Sequence, residues 1–373
     1  MASQLVSSAT NYKIDSHIHL YAASHIPSLS WTRDLAKGHP LNRQYSLDEY
    51  RVATQDLSDE LQGFVFLETD RKSGLPDTQW QDALAEVDFL LRIARGSPRE
   101  GEGHQPEDAK LVLGIVPWAP VPAGEEGLAN YVRQVQDRAG KEWPLIKGFR
   151  YLVQDKPAGV MLQEEFISGL QWLGTHGLTF DLGVDARSGG MYQLQEACTM
   201  MERLYADAGG SGNVLKIVIN HFCKPNLRLS AAQAAPASGD GLGSHPDFMR
   251  WKECIEQMAR YQSTYMKLSG LFSELPKQDE ATPIDVAALV ARTKPWVDVV
   301  FKAFRPSRIM FGSDWPVCNV GGPGVAKSWS HWHALVEAIL TSQNLTPDER
   351  GQIWSGTAIK AYGIILPTSE DLQ

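Results

Sequence analysis

Residues 12–21 read YKIDSHIHLY. Ile14, Ile18 and Leu20 make the run apolar, and it carries His17 and His19 two apart, with Asp15 just ahead. Side chains at i and i+2 of a strand share a face. The two imidazoles therefore converge on one point, at a separation suited to a metal ion or a substrate oxyanion. A buried strand that ends in two histidines raises the question of whether other strands end in the same way.

Seven more strand-like runs follow in order: GFVFLETD (63–70), KLVLGIVPW (110–118), LIKGFRYLV (145–153), LTFDLGV (178–184), LKIVINHF (215–222), YMKLSGL (265–271) and SRIMFGSDWPV (307–317). Most open on a near-continuous apolar stretch, as strands buried on both faces do. Helical patterns lie between them. In QDALAEVDFLLRIAR, Leu84, Val87, Leu90, Leu91 and Ala94 recur at three and four residues, and Met191, Leu194, Cys198, Met201 and Tyr205 repeat the pattern. Five further segments read as helices: 125–140, 164–177, 246–261, 284–304 and 328–340. Strand alternating with helix, eight times over, predicts an α/β fold of the (β/α)8 TIM-barrel type. A doubly wound open sheet is the runner-up, but the first strand lacks the glycine-rich turn that such a fold usually carries.

The 373 residues are read as one domain, 1–373, with the barrel over about 12–340 and a closing helix over about 346–363. Segments 31–45, 96–110 and 226–246 are rich in Gly, Pro, Ser and charge and read as inserted surface loops. Hydrophobic residues make up 43% and charged residues 21%, so a large core is expected. A net charge of −9 argues against a nucleic-acid surface, and no apolar run has the length of about 20 residues needed to cross a bilayer. Four scattered cysteines without a CxxC pair, and an opening MASQLVSSAT without the features of a secretion signal, predict a cytoplasmic protein. Nothing in the sequence sets the oligomeric state.

Residues at the ends of barrel strands project into the barrel mouth, where such folds keep their active sites. Here the ends carry His17 and His19, Glu68, Trp118, Arg150, Asp181, Asn220 with His221, Ser269, and Asp314 with Trp315. Unpaired buried charge costs several kcal/mol, at roughly 3–5 per broken pair, so a plain core does not collect such a set. Each residue keeps a structural alternative. Glu68 and Asp181 are equally suited to pairing with Arg150 or Lys147, Asp314 to capping its turn, and Trp118 and Trp315 to plugging the barrel. The histidines at 25, 39, 104, 176, 245, 331 and 333 are expected mostly at the surface.

Together IDSHIHL, KGFRYLVQ, VINHFCKP, MKLSGL and FGSDWPV resemble the amidohydrolase superfamily, nearest its sugar-lactonase and dicarboxylate-lactonase branch. The resemblance runs from about Tyr12 to Gly363 and takes in the closing LTPDERGQIWSGTAIKAYGI. It implies His17 and His19 as the first-strand HxH, Asp314 as the water-activating aspartate, His221 as the sixth-strand histidine and Arg150 as a substrate-holding arginine. The chain departs from the branch where NHFCKP replaces DHxGKP, and where Asp181 stands in place of a fifth-strand histidine.

The activity so implied is opening of a sugar-acid lactone, such as L-rhamnono-1,4-lactone or an L-fuconolactone. Asp314 is the expected general base and His221 a second catalytic group, with Glu68, Trp118, Arg150, Asp181 and Trp315 around the substrate. One divalent ion, zinc favoured, is expected on His17, His19 and His221 with Asp314 beside it; the same four groups also suit metal-independent catalysis. The alternatives are a metal-dependent decarboxylase of an aromatic or dicarboxylic acid, and a barrel that binds sugar without catalysis.

Overall fold

The computed structural model describes residues 12–33, 35–36, 38–206, 214–229, 243 and 245–366. Eight parallel strands are present: β1 Lys13–Ile18, β2 Leu61–Leu67, β3 Val112–Val116, β4 Gly148–Arg150, β5 Thr179–Leu182, β6 Lys216–Ile219, β7 Thr264–Leu268 and β8 Ile309–Phe311. A helix follows each: α1 Leu47–Thr54, α2 Gln81–Ala94, α3 Gly124–Ala139, α4 Glu164–Thr175, α5 Tyr192–Ala206, α6 Pro246–Met258, α7 Val286–Phe304 and α8 Ser328–Ser342.

The strands form two parallel ladders, β1–β3 and β4–β8, each in chain order. Both seams between them are bridged. At one, Ile115 pairs with Ile146 and Trp118 with Arg150; at the other, Ile18 pairs with Trp315. The second seam carries two backbone bonds, Asp314 N–H to the His17 carbonyl (2.9 Å) and His19 N–H to the Trp315 carbonyl (2.8 Å). Eight strands in cyclic order with a helix after each make a (β/α)8 barrel, and the residues that close it are those singled out for chemistry.

Asp15 locks this seam. Fully buried, it accepts from the Ser313 N–H (2.7 Å), the Tyr50 hydroxyl (3.0 Å) and the Trp329 indole (2.9 Å), which ties β1 to the turn after β8 and to α1 and α8.

The barrel interior below the mouth is a separate apolar cluster that includes Ile14, Val65, Leu113, Val218 and Met310. It is closed from beneath by the C-terminal element, which runs α9 Pro347–Gly351, a π-helical turn Gln352–Gly356 and α10 Thr357–Tyr362. Ala358, Ala361 and Tyr362 of α10 pack into the cluster. The last carbonyls of that helix, left without intrahelical partners, accept from two lysines. Lys216 donates to Lys360 and Ala361 (3.1 and 3.3 Å), and Lys147 to Gly363 (3.1 Å). The positive charges also suit the negative end of the helix dipole. The expected closing helix is thus present, with a role in filling the barrel.

Three expectations need correction. Segment 31–45 is not a plain surface loop, because Leu41 and Tyr45 are buried and Trp31 lines the cavity described below. In segment 96–110, Glu102 is paired with Arg92, and His104 is buried against Glu102. His104 is therefore not at the surface, and His25 and His333 are largely covered as well. Most of 226–246 lies outside the described residues. Helix α1 had no place in the apolar pattern; its signal was the S-x-x-E of Ser46 and Glu49, in which the Glu49 carboxylate accepts from the Ser46 N–H (2.9 Å).

Candidate active site

At the C-terminal mouth of the barrel, His19, Glu68, Arg150, His221 and Asp314 line one cavity of about 160 Å³. His17 lies directly behind it, fully buried. By assignment β1 ends at Ile18, with a register shift between Asp15 and Ile18. The two imidazoles still converge, with Nε2 atoms 3.1 Å apart. Asp314 Oδ1 lies 3.5 Å from His17 Nε2, 3.4 Å from His19 Nε2 and 3.7 Å from His221 Nε2.

The backbone at this point is strained. Asp314 has φ 58°, and His221, Phe222, Cys223 and Lys224 all lie in the left-handed region with φ of 54, 53, 62 and 48°. Such conformations cost about 1–3 kcal/mol each for non-glycine residues and cluster at functional sites. They turn the chain sharply after β6, so that both His221 and Lys224 face the cavity. Ser269 Oγ fixes the His221 ring through Nδ1 at 2.8 Å. Gly270 makes the approach possible, since a Cβ there would stand 2.4 Å from His221 Nδ1, and its φ is +66°.

The electrostatics separate the groups. Burial holds His17 well below the ordinary imidazole value, with the Lys267 ammonium adding to the effect. Burial likewise takes His221 down to about 3, against the pull of Asp314. Burial alone pushes Asp314 up, but His221 and His19 outweigh it and leave the carboxyl below its usual value. Burial pushes Glu68 up to about 8 despite the Arg150 guanidinium 3.5 Å away. Asp314 is thus an ionised carboxylate beside the neutral imidazoles of His17 and His221, which is the state a general base needs.

Two orphaned atoms mark where a ligand belongs. Glu68 Oε1 and Arg150 Nε are buried and have no hydrogen-bond partner among the described residues. Buried polar atoms are rarely left unpaired, and here both belong to residues that line the cavity. Arg150→Lys, which loses the planar fork, is expected to raise KM for substrate roughly tenfold (about 1.4 kcal/mol) while the protein still melts cooperatively. A large fall in Tm with unchanged KM, read from steady-state kinetics and calorimetry, would make Arg150 a structural partner of Glu68 instead.

Three other sequence candidates do not face the cavity. Asp181 is fully buried in the barrel, where it binds Lys267 Nζ at 2.8 Å and accepts from the Tyr362 hydroxyl at 2.9 and 3.0 Å. Its partner is neither Arg150 nor Lys147, because β7 delivers a lysine into the interior that the apolar reading of that strand passed over. Trp315 packs on Tyr45 and Tyr50, and Trp118 on Tyr131 and Tyr151. Both tryptophans are packing residues here. The sequence reading in turn missed the rim: Trp31, Leu41, Asp70, Leu152, Gln154 and Lys224. Leu152 and Gln154 lay inside the quoted KGFRYLVQ, Lys224 inside VINHFCKP, and Asp70 at the end of the second strand-like run; Trp31 and Leu41 come from a loop whose position depends on the fold.

The rim after β1 and β2 is held by a short antiparallel pairing, Leu29 with Arg71, and by the Trp31 indole donating to the Thr69 carbonyl (2.8 Å). His25 supports it by accepting at Nδ1 from Arg71 Nη2 (2.9 Å) and Ala22 N–H (3.2 Å). Burial, and then Arg71, lower His25 to about 4. The folded protein refuses a proton that the unfolded chain accepts near pH 6.5, so this stabilisation is full above pH 6.5 and is lost as pH falls towards 4. His25→Asn keeps an acceptor and does not titrate. The Tm advantage of the wild type over His25→Asn at pH 7.5 is expected to shrink by several degrees, roughly, at pH 4.5. A gap that stays constant with pH would remove His25 from this role.

The donor set also suits a divalent metal. Donors bound to zinc at 2.0–2.1 Å in a tetrahedron stand about 3.4 Å from one another. The atoms of His17, His19 and Asp314 are 3.1 to 3.5 Å apart, and these three residues form a ligand-competent group. The structure thus sets Asp314 in the place given to His221 on sequence grounds, with His221 next to it. Oxygen and imidazole donors gathered at a barrel mouth are a donor set that would suit a hydrolytic metal site.

The chain belongs to the amidohydrolase family, whose profile matches residues 105–364. It is 35% identical to an L-rhamnono-gamma-lactonase of Scheffersomyces stipitis, over 95% of this chain and 100% of that one. It is 27% identical to an L-fucono-1,5-lactonase of Burkholderia multivorans, over 61% of this chain and 66% of that one. Among solved structures, an amidohydrolase of Burkholderia multivorans with bound zinc superposes with a TM-score of 0.65 at 25% identity, covering 95% of this chain and 100% of that one.

Proposed function

We propose that this protein hydrolyses a sugar-acid lactone to the open-chain acid, with L-rhamnono-1,4-lactone as the favoured substrate. The observation that carries the reading is the convergence of three imidazole nitrogens on Asp314 Oδ1 beside the orphaned Arg150 Nε and Glu68 Oε1. A relative named for rhamnono-gamma-lactone, matched over 95% of this chain, and one named for fucono-1,5-lactone, matched over 61%, support it over decarboxylation.

Ring opening requires an activated water, a polarised carbonyl and a proton for the departing ring oxygen. Asp314, ionised and facing the cavity, takes the proton from water. His221, neutral and fixed by Ser269, stands beside it to orient that water. Arg150 donates to the lactone hydroxyls or carbonyl through its unpaired Nε, and Glu68 pairs with a hydroxyl through Oε1. Leu41, Leu152 and Trp31 give the cavity an apolar side that suits the methyl end of a deoxy-sugar. Asp314 then returns its proton to the ring oxygen. His17, His19 and Asp314 would hold a divalent ion, with zinc favoured because the superposable Burkholderia protein binds it. When bound, such an ion polarises the carbonyl and acidifies water.

Four buried free cysteines fit a reducing, cytoplasmic setting, and no helix among the described residues is long and apolar enough to cross a membrane. A pH-stat assay on a panel of aldonolactones decides the reading. Acid release from L-rhamnono-1,4-lactone is expected, and CO2 release from a dihydroxybenzoate with no acid from any lactone would replace it with the decarboxylase.

A further inference from the structure

We propose that Lys267 is a positioning residue that makes the two histidines of the HIH segment chemically unequal, fixing His17 in the metal-free protein with its proton on Nε2 and His19 with its proton on Nδ1.

Asp181 anchors the arrangement. Its carboxylate accepts from Lys267 Nζ (2.8 Å) and from the Tyr362 hydroxyl (2.9 and 3.0 Å), all within the sealed interior of the barrel. A carboxylate that receives several donors is ionised, and its buried neighbour is then an ammonium. An ammonium has three protons and no lone pair. Lys267 Nζ also lies 3.3 Å from His17 Nδ1, so in that contact the imidazole nitrogen accepts. A neutral imidazole that accepts at Nδ1 carries its single proton on Nε2. His17 therefore carries its N–H on the side of His19.

His19 is held in the opposite sense. Its Nδ1 lies 2.8 Å from the Glu68 carbonyl oxygen and 3.1 Å from that of Leu67. A carbonyl only accepts, so Nδ1 carries the proton and Nε2 is a bare lone pair. The 3.1 Å contact between the two Nε2 atoms is then a hydrogen bond from His17 to His19. One directed chain runs from Lys267 through His17 and His19 to the Glu68 carbonyl.

Metal-binding histidines usually rest their second nitrogen on a carboxylate, a carbonyl or water. His19 does so. His17 has a lysine in that place, with the carboxylate one residue further back. The HIH segment thus offers one ready lone pair and one N–H donor, and for both Nε2 atoms to hold an ion the His17 proton would have to move to Nδ1, with Lys267 giving up one proton to solvent and becoming the acceptor.

The test reads the tautomers directly. Metal-stripped protein carrying 15N-labelled histidine is examined by long-range proton–nitrogen NMR, with His17 identified by its loss in His17→Gln. The expected result is an unprotonated Nδ1 and protonated Nε2 for His17, and the reverse for His19. The double variant Lys267→Met/Asp181→Asn removes the ion pair without leaving a bare charge. It is expected to give mixed His17 tautomers and about 10–100-fold lower kcat, with KM within about threefold because neither residue touches the cavity. A His17 with its proton on Nδ1 in the wild type overturns the proposal, even if the variant does not fold. So does a variant with unchanged His17 signals. The kcat arm rests on the lactonase reading, whereas the NMR arm does not; a failed lactone assay with the expected tautomers would sink only the former.

Discussion

Asp314→Asn is expected to lower kcat for lactone opening by about 10²–10⁴-fold while the protein folds and binds substrate. The amide is nearly isosteric with the carboxylate, so the turn after β8 and the backbone bond from Asp314 N–H to the His17 carbonyl remain. What is lost is the ionised carboxylate that lies within 3.4 to 3.7 Å of the ring nitrogens of His17, His19 and His221. Because His221 and His19 hold the Asp314 carboxyl below its usual value, wild-type activity is not expected to fall on the acid side until below the ordinary carboxylate range. A variant with near-wild-type turnover would move the base elsewhere, and His221, 3.7 Å away, is the first place to look. Steady-state kinetics with a substrate-binding measurement on the inactive variant separates the two outcomes.

Prolonged chelation is expected to abolish turnover, with zinc or manganese restoring it, and His17→Ala and His19→Ala should each lose both metal and activity. The expectation rests on spacing: three donors 3.1 to 3.5 Å apart are already set for a small divalent ion. Removing either histidine leaves two protein ligands, too few for a tight zinc site. The check is metal analysis of the purified protein beside a lactone assay before and after chelation. If fully stripped protein opens the lactone at the original rate, the imidazoles work without metal, as an oxyanion clamp.

Much of this was legible in the chain. The eight apolar runs and the helical periodicities between them dictate the barrel, because strands covered on both faces and amphipathic helices bury their apolar atoms in few other ways. The C-terminal rule for barrel sites then picks out His17, His19, Glu68, Arg150, His221 and Asp314, all of which the fold brings to the mouth or directly behind it. Local spacing was enough for these residues because a strand fixes its own end.

Other features depend on which strand faces which across the barrel, and spacing along the chain carries no such information. Asp181 has the position of a substrate ligand but the surroundings of a core ion pair, because Lys267 from β7 and Tyr362 from the closing helix reach it through the interior. Trp118 and Trp315 sit at strand ends yet turn into aromatic packing. The metal-competent trio includes Asp314 because the β1–β8 seam sets its Oδ1 between the two Nε2 atoms, while the left-handed turn at 221–224 holds His221 slightly further off. The fold class and the chemical inventory of the mouth follow from local patterns of burial and strand ends, which the chain carries at every position. Which of those groups meet is set by packing across the barrel, because it depends on contacts between residues far apart in sequence, as in the pair His17 and Asp314, 297 positions apart.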